Sequence, residues 1–73
     1  MTLAQTIKRQ RIKLGITQEA AARTIDCSLS TFVKWEREKK DGGNSPSIAM
    51  LGKLARILEL DAGLLLAVAE KNA

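Results

Sequence analysis

Apolar residues recur along this chain at steps of three and four, and residues with helix-capping chemistry interrupt the pattern. Leu3, Ile7 and Leu14 share one face of a first helix expected from about Thr2 to Leu14, with Arg11 one turn beyond Ile7. Gly15 suits a left-handed stop. Thr17 then offers its hydroxyl to the first turn of a second helix that runs to about Ile25, with Ala21, Ala22 and Ile25 inward. Asp26-Cys27 reads as a tight turn, because Asp accepts a left-handed backbone better than most residues. Ser28 caps a third helix over residues 28–37, whose inner side carries Phe32, Trp35 and Glu36.

Beyond Arg37 the periodicity lapses. Residues 37–45 are polar, charged and contain Gly42-Gly43-Asn44, the composition of a flexible loop. After Pro46-Ser47, the residues Ile48, Leu51, Leu54, Ala55 and Leu58 form the core stripe of a fourth helix. Asp61 can cap a fifth, from Ala62 to about Ala69, where Leu64, Leu65, Leu66 and Val68 leave few polar faces. The expectation is an all-α fold of five helices in one domain spanning residues 1–73.

Composition narrows what such a fold can do. At 73 residues the chain has room for one small core and little spare stability, so dimerisation would help it. The net charge of +4 fits a nucleic-acid partner without requiring one. Histidine is absent and Cys27 stands alone, so neither an internal disulfide nor a Cys/His zinc site can form. No Cys–base pair and no phosphate-binding glycine loop suggests an enzyme, and no cofactor is expected. No apolar run approaches the roughly 18 residues of a membrane span, and a cytoplasmic location is the simplest expectation.

The run Arg11-Ile12-Lys13-Leu14-Gly15-Ile16-Thr17-Gln18-Glu19 now gains weight, together with Ala22, Ile25, Ser28, Thr31, Trp35 and Glu36. With the later Pro46-Ser47-Ile48, Leu51, Leu54-Ala55, Leu58 and Leu60, it resembles the Cro/CI-type (XRE) helix-turn-helix family over roughly Ile7 to Leu66. The resemblance implies a compact lambda-repressor-like domain that binds double-stranded DNA. It assigns base contact to Ser28, Leu29, Ser30, Val33 and Lys34 on the recognition helix. It places Gln18 against a phosphate, with Thr31 close to the duplex backbone, and makes Arg11 and Glu36 a buried structural ion pair. Thr17 and Arg9 are further phosphate candidates, and Lys39 and Lys40 can reach phosphates from the loop. Four features depart from the family pattern: Leu29 for a polar residue, Ala21 for leucine, Asp26 for the turn glycine, and a longer loop after Arg37. Trp35 and Phe32 are expected to fill the volume that Ala21 leaves.

Elementary recognition chemistry agrees with these roles. A helix in the major groove reads base edges with its N-terminal part. Lys34 can donate to guanine O6 and N7, whereas Leu29 and Val33 offer only apolar contact, which suits thymine methyl groups. The leading expectation is a sequence-specific transcriptional regulator, a repressor acting as a homodimer on a palindromic operator. Leu64, Leu65 and Val68 are the candidate dimer face, with completion of the monomer core an equal alternative. An antitoxin or a restriction–modification controller protein of the same fold is the rival reading. There a toxin or RNA polymerase would be the main partner.

Overall fold

A computed structural model describes residues 2–71. Five helices form, in the order α1 (Leu3–Lys13), α2 (Gln18–Thr24), α3 (Leu29–Trp35), α4 (Ile48–Ile57) and α5 (Ala62–Lys71), with no strand among the described residues. Each start has a chemical cause. Thr2 accepts from the Gln5 N–H while the Gln5 side chain accepts from the Thr2 N–H, a reciprocal capping box at the head of α1. Thr17, Ser28, Ser47 and Asp61 accept in the same way from Ala20, Thr31, Met50 and Leu64.

Three of the stops are left-handed residues. Gly15 follows α1 at φ 72°, and Asp26 follows α2 at φ 59°, so the aspartate does take the conformation the turn requires. Glu59 at φ 55° closes α4 in the same way. Charged side chains enter this region at a cost that glycine avoids.

One core joins the helices. It gathers Leu3 and Ile7 from α1, Ala21 and Ala22 from α2, Ile25, Phe32 and Trp35, the α4 residues Leu51, Leu54 and Ala55, then Leu58 and Leu65. Phe32 and Trp35 meet edge to face with ring centroids 5.9 Å apart, a favourable aromatic geometry. Both are buried in the same cluster as Ala21.

Three expectations change. Ile48 does not join the α4 stripe: it is 76% exposed, and burial begins one turn later at Leu51. Periodicity assigns a residue to a face but does not say where along the helix the covering elements end. Leu65, named as a dimer-face residue, is fully buried in the monomer. It cannot also meet a partner, because α5 turns it onto the shared core. Finally, the segment 37–45 is not an open loop. Lys39–Asp41 forms a short 3-10 helix. The Gly43 N–H donates to the Glu38 carbonyl at 2.9 Å, and the Asn44 N–H to the Lys34 carbonyl at 3.2 Å, folding the segment back on the end of α3.

Candidate nucleic-acid interface

The third helix, α3, is shorter than its expected span of 28–37, running Leu29–Trp35 with Ser28 and Glu36 as its caps. Its two sides differ sharply. Phe32 and Trp35 are buried, whereas Ser28, Leu29, Ser30 and Lys34 are exposed and Val33 is half-buried. Thus the five residues assigned to base contact lie away from the core, and the helix is anchored from behind.

That anchor is polar. Arg11 donates to both oxygens of Glu36, from Nε to Oε2 at 2.5 Å and from Nη2 to Oε1 at 3.0 Å. Its Nη1 donates to the Ile16 carbonyl at 2.8 Å. The side chains are only 11% and 3% exposed, so the pair is largely shielded from water. Such a fork fixes orientation as well as distance. It ties α1 and the α1–α2 turn to the end of α3.

Gln18 joins this network, which the sequence alone did not reveal. Its Nε2 donates to Glu36 Oε1 at 3.0 Å. Its side chain therefore does not hang free at the head of α2 as a simple phosphate anchor would. An amide nitrogen carries two hydrogens, so one remains to donate outward. Thr17 is exposed and its hydroxyl caps α2. Ser28 is similarly committed: it accepts from the Thr31 N–H at 3.1 Å and donates its hydroxyl hydrogen to Thr31 Oγ1 at 2.8 Å. The hydrogen available to an outside acceptor is then that of Thr31.

The cations assigned to phosphate divide. Lys39 and Lys40 are exposed on the 3-10 turn and border a cleft of about 320 Å³ that also touches the start of α1 and Trp35. The Thr2 hydroxyl, donating to Glu38 Oε1 at 2.9 Å, latches this turn to α1. Gly43 is required where the turn folds over, because a Cβ there would lie 1.8 Å from the Arg37 carbonyl oxygen. Arg9, by contrast, faces away from the helix pair. It lies two residues, about 200°, around α1 from Arg11. It borders a depression with Thr6, Gln10 and Leu60 on the α4–α5 side. The structure does not bring it to α2 and α3.

Leu29 borders a shallow hollow with Glu19, Arg23, Asp26 and Cys27. Burial, aided by the Asp26 carboxylate, raises the Cys27 thiol above its ordinary range, which disfavours the thiolate. On the C-terminal side, Leu64 is 56% exposed, while Val68 packs partly against the core. No helix among the described residues is long and apolar enough to cross a membrane.

The arrangement is a short helix, fixed from behind by directional bonds, that carries a compact row of small and apolar side chains followed by one lysine. A helix-turn-helix family model matches residues 7–65 of the chain. No curated protein and no solved structure matches it. The match takes in α2, the Asp26 turn, α3 and the Arg11–Glu36 pair, and extends through α4 to the buried Leu65. The chain belongs to the Cro/CI-type (XRE) helix-turn-helix family of DNA-binding transcriptional regulators.

Proposed function

We propose that the protein is a repressor that binds a palindromic operator in double-stranded DNA as a homodimer, with α3 of each subunit in a major groove. The observation that carries this reading is the outward row Leu29, Ser30, Val33 and Lys34 on a helix held by Arg11, Gln18 and Glu36. Base discrimination needs side chains held closely in position, and a directional network behind the helix supports that reading. Lys34 donates to guanine, Ser30 reads a neighbouring edge, and Leu29 and Val33 contact pyrimidine methyl groups. Ser28 serves as the cap and supports Thr31, which faces the duplex backbone.

Phosphate contacts come from the second amide hydrogen of Gln18, from Thr31 and Thr17, and from Lys39 and Lys40 on their latched turn. Arg9 adds only to the general positive field. The exposed Leu64, flanked by the half-buried Val68, forms the self-contact. Repression follows from occupancy of promoter DNA.

Selection of bound duplexes from a random pool, followed by sequencing, tests this reading. The expected product is an inverted repeat with half-sites about 10 base pairs apart, one turn of DNA, or a multiple of it. A pool that stays random would remove the proposal. A single unrepeated motif would remove the homodimer.

A further inference from the structure

Two apolar side chains on a DNA-reading surface raise a question of chemical selectivity, and the answer reaches beyond the unmodified bases. Leu29 and Val33 lie four residues apart on α3, hence on one face of the helix. Leu29 is 40% exposed and Val33 half-buried, so together they leave an apolar surface open to solvent. Neither can donate or accept a hydrogen bond. The preceding residue has no donor left for a base, because the Ser28 hydroxyl hydrogen is given to Thr31 Oγ1 while its oxygen takes the Thr31 N–H. Ser30 and Lys34 each follow one of the apolar pair by one residue, about 100° around the helix, and address different atoms.

We infer that the Leu29–Val33 face recognises the C5-methyl group of a pyrimidine and not its hydrogen-bonding edge. The chain then accepts 5-methylcytosine where it accepts thymine, and binds a methylated operator more tightly than the same sequence unmethylated. This rests on the DNA-binding reading above. In the major groove thymine shows an O4 acceptor beside its methyl group, and cytosine shows an N4 donor with no methyl group. Methylation of cytosine at C5 restores the methyl group and leaves the donor. A face lined by polar side chains separates the two bases by that donor or acceptor. A leucine–valine face senses only the methyl group. Burying one methyl-sized apolar group changes affinity about fourfold. A two-fold operator presents the methyl group twice, and independent half-sites multiply, giving about sixteenfold.

The test uses the full chain and the operator obtained by selection. Each half-site pyrimidine is replaced in turn by thymine, deoxyuridine, cytosine and 5-methylcytosine, and dissociation constants are measured. One position per half-site should lose about fourfold in affinity when thymine becomes deoxyuridine. It should regain a similar factor when cytosine becomes 5-methylcytosine. In Leu29→Ala and Val33→Ala the methylated and unmethylated duplexes should converge. The DNA-side exchanges leave the protein untouched, so the result does not depend on how any variant folds. Sequence preference without a methyl effect at any position would overturn this inference alone, as would a methyl effect that survives in the double variant. Absence of preference for any duplex over random DNA would overturn the proposed function and this inference with it.

Discussion

Helices α3 and α5 are built alike at first sight. Each begins with a side-chain cap, Ser28 on the Thr31 N–H and Asp61 on the Leu64 N–H. Each buries one residue completely, Phe32 and Leu65, and each exposes a leucine, Leu29 and Leu64. They differ in what holds them. α3 ends on Glu36, which accepts from Arg11 and Gln18. α5 is held by Leu65 with Leu66, Val68 and Ala69 packed on the core. Apolar attraction scales with area and has no direction, so it places a helix approximately. A charge-assisted fork specifies angle and distance together. The helix proposed to meet base edges has the directional anchor, and the helix held by apolar packing does without one.

Conservative substitutions can break this contrast. Glu36→Gln keeps volume but leaves the Arg11 guanidinium without its counter-charge, at about 3–5 kcal/mol. Leu65→Met also keeps volume and should cost less than about 1.5 kcal/mol. Urea denaturation of the two variants checks the difference, and equal midpoints would show that direction is irrelevant here. Leu65→Ala, which opens a cavity, should cost about 2–5 kcal/mol of stability. Its affinity for DNA should nonetheless stay near that of the parent wherever the variant is folded, because the anchor of α3 is intact.

The next effect is local to the turn after α3. Gly43→Ala forces a Cβ against the Arg37 carbonyl, so the backbone must shift. Lys39 and Lys40 would then leave their latched positions, although neither is altered. Affinity for every sequence should fall together. The slope of log K against log salt should drop by about 0.9 for each phosphate that is no longer neutralised. An unchanged slope would show that the turn touches no phosphate.

Much of this architecture is legible in the sequence. Capping residues and left-handed stops act within a few residues, so Thr17, Ser28, Asp61, Gly15 and Asp26 mark the helix boundaries locally. The Arg11–Glu36 pair is legible through the family resemblance, because two opposite charges on inward faces need each other. Gln18 is harder. Its sequence position says that it begins a helix, but not that Glu36 has an acceptor left for it. Ile48 and Leu65 mislead for a shared reason. Each lies in an apolar run whose periodicity is satisfied by both burial and exposure, and only the placement of neighbouring helices decides. Residues 37–45 mislead through composition. Glycine and charge suggest freedom, yet the Thr2–Glu38 bond is non-local, and the close approach at Gly43 is invisible in the run itself.

The smallest expected effect on the fold is also the one that isolates the role of α5. Leu64 is 56% exposed and lies outside the core cluster. Leu64→Ser should therefore change monomer stability by no more than about 0.5 kcal/mol. If α5 carries the self-contact, the same variant should raise the concentration at which the chain dimerises. It should also weaken binding to the full inverted repeat while leaving an isolated half-site unaffected, because α3 is untouched. Sedimentation equilibrium and binding to whole and half operators would measure both. Dimerisation unchanged by Leu64→Ser would remove α5 as the dimer face and leave its role, like that of Leu65, wholly within the monomer.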